Sequence, residues 1–174
     1  RESISHRSPQ YVEIHKRVRQ GLKELFNTDN EVFILTSSGS GAMEAAIQNC
    51  FSFGDEVVVV VMGTFSKQFA TMTKAFQLKV TEVEFELGEA ADVDEVMKHV
   101  TPNTKGVFVI HNESQTGVTN DIEAFGKALK DTDALLITDS VSGAAGIEMK
   151  MDDWNVDVLL SASQKSLMVP AGLS

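Results

Sequence analysis

The chain has 174 residues, of which 43% are hydrophobic and 23% are charged, and its net charge is −10. This composition supports one globular domain with a sizeable core, and the negative charge disfavours nucleic acid, whose partners need a basic face. Because Cys50 is the only cysteine, intramolecular disulfides and cysteine-based metal clusters are excluded, which favours a reducing, cytoplasmic setting. The apolar run at 57–62 is too short to cross a bilayer, and residues 1–9 lack the apolar stretch of a signal peptide.

The first predicted element is an amphipathic helix. Apolar residues recur near helical spacing among charged residues from 9 to 26, and the polar segment 27–30 ends the pattern. A short apolar run with β-branched residues at 32–36 then predicts a strand, and the helix formers at 42–50 predict a second helix.

The alternation of strand and helix repeats along the rest of the chain. It predicts helices at 66–76, 93–100 and 122–130, and strands at 56–62, 79–85, 106–111, 134–139 and 156–161. Nearly continuous Val, Ile and Leu strands that alternate with helices are typical of a mostly parallel sheet with helices on both faces. We therefore predict one three-layer α/β/α domain over 1–174. The chain lacks an initial methionine and stops just after an apolar segment, so we expect it to be a fragment.

A serine- and glycine-rich turn at 37–41 separates the first predicted strand from its helix. Glycine lets the backbone approach a ligand closely, serine donates hydrogen bonds, and a helix N-terminus offers free N–H groups with partial positive charge. These features favour an anion site, with a plain turn as the alternative. The turn fits neither a dinucleotide fingerprint, which needs a third glycine, nor a P-loop.

Two charged side chains follow buried strands directly. Asp139 lies at the end of a predicted strand, where open α/β sheets bind their ligands, and a carboxylate needs a cationic partner there. Its alternative role is an N-cap. Lys165 follows the next strand, and a lysine held neutral in a partly apolar pocket can form a Schiff base with an aldehyde. Its alternative role is a solvated surface charge.

The anion turn, Asp139 and Lys165 together supply a phosphate cradle, a partner for a pyridinium nitrogen and an amine that forms imines. From about His6 to Ser174 the chain resembles class V (fold type I) enzymes that depend on pyridoxal 5′-phosphate (PLP). The motifs are most similar to those of the alanine-glyoxylate and serine-pyruvate aminotransferase branch. The resemblance implies that 1–174 is the PLP-binding large domain and that a C-terminal small domain follows it.

The resemblance also implies a site. Lys165 and Asp139 would be the catalytic residues, as the Schiff-base lysine and the partner of the pyridine nitrogen, and no metal is expected. The matching cofactor-binding residues are Ser38, Gly39, Ser40, Phe65, Ser114, Asp139, Val141, Gln164 and Lys165.

For each of the other matching residues, the resemblance also implies a contact with the cofactor. The turn at 38–40 would bind the phosphate, and Phe65 and Val141 would pack on opposite faces of the pyridine ring. Core packing is the alternative for Phe65. Ser114 would bond near the phenolic oxygen of the cofactor, and Gln164 would donate a further hydrogen bond.

The segment 111–118 resembles the family motif His-Asn/Gly-Glu-Ser/Thr-Ser/Thr-Thr-Gly-Val. Gln115 replaces a small hydroxyl residue there, which leaves the fine shape of the site open. His111 and Glu113 invite an acid–base interpretation, but we expect structural roles for both.

The resemblance further implies a homodimeric enzyme that would transfer an amino group from alanine or serine to glyoxylate or pyruvate. The arginines of the chain, Arg1, Arg7, Arg17 and Arg19, all precede the first predicted strand. The arginine that grips the substrate carboxylate in this family is therefore expected beyond Ser174, together with the phosphate contacts from the partner subunit.

Other functions remain open. Within the family, the alternatives are 2-aminoethylphosphonate transaminase and a cysteine desulfurase-like enzyme. Desulfurases carry a histidine at the position of Phe65 and a later catalytic cysteine, so we disfavour them. A non-catalytic domain that keeps the fold is a further alternative, whereas a serine hydrolase is disfavoured because no Gly-x-Ser-x-Gly motif is present.

Overall fold

The computed structural model describes residues 3–174. Helices and strands alternate through most of the chain, as the sequence predicts. The elements in chain order are α1 (Pro9–Phe26), α2 (Gly39–Cys50), β1 (Glu56–Val61), α3 (Thr64–Ala75), β2 (Lys79–Glu84), α4 (Val93–Met97), β3 (Thr104–Ile110), β4 (Asn112–Glu113), β5 (Val118–Thr119), α5 (Ile122–Leu129), β6 (Leu135–Asp139) and β7 (Val158–Leu160).

The main sheet has five strands in the order β2-β1-β3-β6-β7. All four neighbouring pairs are parallel, which confirms the predicted mostly parallel sheet. β4 and β5 form a separate two-stranded antiparallel ladder. Because the strand order reverses between β1 and β3, the loops after these two strands diverge, and ligands bind at such points in open α/β sheets.

The strand β1 shows why the sheet is buried on both faces. It carries five valines in succession, and successive side chains of a strand point to opposite faces. Val57, Val59 and Val61 pack in one core with residues of α2 and α3. Val58 and Val60 pack in a second core with residues of α4 and α5. Helices therefore cover both faces of the sheet, which gives the three layers expected from the sequence.

The helix α1 lies apart from these cores. It begins at Ser8, whose side chain accepts a hydrogen bond from the Tyr11 N–H, and it ends at Asn27 in the left-handed conformation. Phe26 is its only buried residue, and apolar side chains such as Val12 and Val18 stay more than 40% exposed. No helix within residues 3–174 is long and apolar enough to cross a membrane.

The prediction of a strand at 32–36 is wrong. Residues 31–35 are irregular, and Leu35 alone exchanges backbone hydrogen bonds with Ser174, at 2.7 and 3.0 Å. A strand needs a ladder of partners, and this segment meets a single one. The short strands β4 and β5 were not predicted, and α2 begins at Gly39 rather than at residue 42.

Candidate active site

Parallel strands place their carboxyl ends at one edge of the sheet, and the loops that follow β1, β3, β6 and β7 meet there. The loop after β6 is tied to the loop after β3, because Ser142 Oγ donates to the Asn112 carbonyl at 2.7 Å. It is also tied to the loop after β7, because Ser166 Oγ donates to the Ser142 carbonyl at 3.3 Å. Most of the residues predicted for the site lie on these loops.

The N-terminus of α2 joins the same edge. A Cβ built on Gly39 would lie 2.8 Å from Val141 Cγ2 and 3.6 Å from Ala162 Cβ, so this turn packs on the loops after β6 and β7. Ser38 caps the helix by accepting from the Gly41 N–H at 3.4 Å. The N–H groups of Gly39 and Ser40 have no acceptor within residues 3–174. The first turn of α2 therefore offers free donors with partial positive charge, as an anion site requires.

Asp139 ends β6 with a carboxylate that is short of partners. The residue is 4% exposed, and Oδ1 accepts one hydrogen bond, from the Val141 N–H at 2.7 Å. Within residues 3–174, no lysine, arginine or histidine forms an ion pair with it. Burial raises the pKa of Asp139 to about 6; the Val141 N–H opposes this and the negative Glu113 adds to it. A cationic ligand would relieve this cost.

Phe65 lies at the start of α3 and is 38% exposed. Its backbone N–H donates to Glu113 Oε1 at 3.3 Å, and the Ser66 N–H donates to Glu113 Oε2 at 3.0 Å. Thr64 donates to Gln115 Oε1 through its N–H, at 2.8 Å, and through its hydroxyl, at 2.7 Å. The turn after β3 therefore holds the start of α3.

Lys165 and Gln164 lie in the turn after β7, and both side chains are exposed. Ser163 organises this turn: its hydroxyl donates to the Pro170 carbonyl at 2.8 Å and accepts from the Leu173 N–H at 3.3 Å. Among residues 3–174, no carboxylate lies within ion-pair distance of Lys165 Nζ. The amine is thus free of a charge partner at the same edge as Asp139.

His111 is buried just after β3, 2% exposed. Its Nδ1 lies 2.9 Å from Ser140 Oγ, and its ring meets Trp154 edge to face. Burial lowers the pKa of His111, which favours the neutral imidazole. These contacts link the β3 and β6 loops, in agreement with a structural role.

A second concave region opens at the opposite edge, near the amino ends of β6 and β7. It is lined by residues that include Asp152 and Asp157. Both carboxylates are already used by the fold: Asp157 accepts from the Leu136 N–H at 2.8 Å, and Asp152 accepts from the Asp29 N–H at 2.9 Å. The uncompensated carboxylate and the open helix N-terminus therefore both lie at the carboxyl edge.

Comparison with known proteins agrees with this geometry. The family model described as aminotransferase class-V matches residues 1–174. The chain belongs to the class V aminotransferase family.

Relatives support the assignment. An uncharacterized aminotransferase of Methanocaldococcus jannaschii is 36% identical over 98% of this chain, which covers 45% of that protein. The serine–glyoxylate aminotransferase of Hyphomicrobium methylovorum is 37% identical over 96% of this chain and 43% of its own length. An aspartate aminotransferase from Thermus thermophilus, classed in subgroup IV, superposes with a TM-score of 0.94 at 33% identity, over 99% of this chain and 49% of its own. The chain thus spans about half the length of these proteins.

Class V aminotransferases use PLP, and the arrangement of this class V chain fits that cofactor. A phosphate would meet the open N–H groups of Gly39 and Ser40. A protonated pyridine nitrogen would supply the cation that Asp139 lacks. The structure thus brings the residues predicted from the sequence to one edge of the sheet.

Sequence reasoning did not foresee how Glu113 and Gln115 are used. Their side chains hold the start of α3, more than 45 residues away along the chain. The only signal in the sequence was a carboxylate next to a predicted site residue, Ser114, and that signal does not reveal its distant partner.

Proposed function

We propose that this chain is the PLP-binding domain of an aminotransferase that transfers an amino group from alanine or serine to glyoxylate or pyruvate. One observation carries the proposal above all: Asp139 is a buried carboxylate without a cation, at the same edge as the open N-terminus of α2. A ligand with a cationic ring and an anionic tail satisfies both ends at once. PLP is such a molecule.

Each residue predicted for the site would make a different contact with the cofactor. The turn at Ser38–Ser40 would bind the phosphate, and Phe65 and Val141 would pack on the two faces of the ring. Ser114 and Gln164 would donate hydrogen bonds to the cofactor. PLP supplies an electron sink when it is bound. Asp139 would hold a proton at the pyridine nitrogen through a charge-assisted hydrogen bond.

Lys165 would bind the cofactor covalently and then act as the base for the reaction. Its place in the turn after β7, at the same edge as Asp139, and the absence of a carboxylate within ion-pair distance among residues 3–174 support this role. The Nζ amine of Lys165 would take the proton from the substrate Cα.

The choice of substrates rests on relatives. The protein from Hyphomicrobium methylovorum is named for serine and glyoxylate, and a Drosophila melanogaster relative, 32% identical, is named for alanine and glyoxylate. The chain covers less than half of each, so we propose that a C-terminal small domain and a partner subunit complete the site.

The test is a spectrum followed by a substrate panel on the full-length protein. A protein that binds PLP on lysine should absorb near about 420 nm. Alanine and serine should each convert glyoxylate to glycine, with aspartate and 2-aminoethylphosphonate as comparison donors. A protein without the absorbance would instead be a non-catalytic domain, and a preference for 2-aminoethylphosphonate would overturn the substrate assignment.

A further inference from the structure

The start of α3 is held in an unusual way. The first N–H groups of a helix have no partner within the helix and need acceptors elsewhere. In α3 these acceptors come from one distant turn: Gln115 Oε1 accepts from Thr64, and the two oxygens of Glu113 accept from Phe65 and Ser66. Glu113 Oε2 also lies 3.1 Å from the Ser66 hydroxyl.

The other helices are capped locally. Side chains that immediately precede the helix accept from its first turn: Ser8 for α1, Ser38 for α2, Asp92 for α4 and Asp121 for α5. In α3 the corresponding residue is Gly63, which has no side chain. A Cβ there would lie 2.5 Å from Glu113 Cγ, so glycine leaves the space into which the glutamate fits.

Glu113 also occupies the N-terminus of α3. Its side chain is fully buried, and its negative charge lies at the positive end of the α3 dipole. The α3 terminus is therefore already occupied by a carboxylate of the chain, whereas the α2 terminus is open.

We propose that Glu113 is a positioning residue that fixes Phe65, on α3, and Ser114, on the neighbouring turn, as one rigid unit around the cofactor ring. This inference rests on the proposed function. Glu113 touches neither substrate nor cofactor, and it acts by setting the height and angle of the Phe65 ring. Through these contacts Glu113 joins two elements that both carry residues predicted for the site.

The first test measures how Glu113 holds the start of α3 when no cofactor is bound. In the cofactor-free full-length protein, Glu113→Gln replaces one acceptor oxygen by an amide nitrogen. Amide hydrogen exchange at Phe65 and Ser66 should then accelerate on the order of tenfold, since a hydrogen bond to a charged group is lost. Exchange in the first turns of α2 and α5 should stay unchanged. The matched control is Glu123→Gln, a partly exposed glutamate of α5 that pairs with Lys127.

The second test measures coupling to Phe65 by PLP titration of four proteins: wild type, Glu113→Gln, Phe65→Ala and the double variant. In the protein that retains Phe65, Glu113→Gln should weaken PLP binding about tenfold. In the Phe65→Ala variant, the same change should weaken it less than about twofold. Equal effects in both backgrounds would overturn the inference. If Glu113→Gln does not fold, Gln115→Ala, which removes the Thr64 contacts from an exposed residue, enters the same cycle with the same expectation.

The proposed function and the positioning role of Glu113 can be refuted independently of each other. A wild-type protein that binds no PLP refutes the proposed function. A wild-type protein that binds PLP, with additive effects in the cycle or unaltered exchange at Phe65 and Ser66, refutes the positioning role of Glu113 and leaves the proposed function intact.

Discussion

Gly39 packs against Val141 so closely that a Cβ on the glycine would lie 2.8 Å from Val141 Cγ2. The residue expected beside the phosphate is thus in direct contact with the residue expected beneath the ring. A larger side chain at either position will displace the other residue, because packed interiors have few voids to absorb extra volume.

Gly39→Ala should therefore weaken PLP binding. Overpacking costs about 1–3 kcal/mol, so we expect a loss of affinity on the order of tenfold, measured by PLP titration. The control is Gly21→Ala in α1, where a Cβ meets nothing within 4 Å. That variant should be more stable by roughly 0.5–1 kcal/mol in urea unfolding, because alanine favours helix. Gly39→Ala should also lower the free energy of unfolding in urea, and adding Val141→Ala, which restores room, should recover it. No recovery would contradict the contact.

Asp139→Asn should change stability and activity in opposite directions. The variant keeps the shape and the acceptor for the Val141 N–H but removes the buried charge. The cofactor-free variant should be more stable than the wild type at about pH 7, since a buried carboxylate is costly. Turnover of the full-length enzyme should fall by about two orders of magnitude or more, because the proton on the pyridine nitrogen is no longer held. Near-normal turnover would refute the role of Asp139.

The same carboxyl group predicts a pH dependence of stability. The folded pKa of about 6 lies above that of an unfolded aspartate, so between about pH 4 and pH 6 the unfolded chain releases a proton that the folded chain keeps. The free energy of unfolding should thus fall as pH rises through this window, by up to about 3 kcal/mol from Asp139, and then level off. Urea unfolding of cofactor-free wild type and Asp139→Asn across the window isolates this contribution, which should be missing in the variant.

Borohydride reduction should fix the cofactor on Lys165. Peptide mapping checks the position, and Lys165→Ala should bind PLP only non-covalently. Competing lysines are less reactive because carboxylates stabilise their protonated form: the hydrogen bonds that Lys127 and Lys150 donate to Glu123 and Glu148 raise the pKa of each lysine. A label on either of these would contradict the assignment.

The 174-residue chain alone should not catalyse efficient transamination, even if it binds PLP. An arginine that grips a carboxylate through two parallel hydrogen bonds is needed to orient the substrate. Arg19 is engaged with Glu31 and the Val32 carbonyl near the end of α1, away from the site loops. Losing such a contact costs a rate factor of about a hundred or more. Side-by-side assays of this chain and the full-length protein check this, and equal turnover would show that the site is already complete.

Much of the fold could be predicted because the sequence patterns that define most of its helices and strands are local. The stripe of apolar residues and Pro9 defined α1 with both of its ends, and five consecutive valines identified β1 as a buried parallel strand. Asp139 and Lys165 were predicted from their places after buried strands, and the structure puts both at the expected edge.

The rest depended on partners that sequence spacing does not reveal. The run at 32–36 has the composition of a strand, but composition cannot show that only Leu35 finds a partner, in Ser174. The roles of Glu113 and Gln115 depend on a turn that lies far away in sequence, and the two-residue strands β4 and β5 are too short to leave a period.

The parallel sheet has a consequence for how the chain folds. Each pair of neighbours in the main sheet joins segments that lie far apart in the sequence, as when Glu56 of β1 meets Thr104 of β3. No such pair can start as a hairpin, so loop closure must precede most of the pairing, and rates of folding fall as contacts become less local. During that delay the valine run of β1 stays uncovered, and such a run is prone to pair with other chains. Recovery after dilution from denaturant will therefore depend on protein concentration.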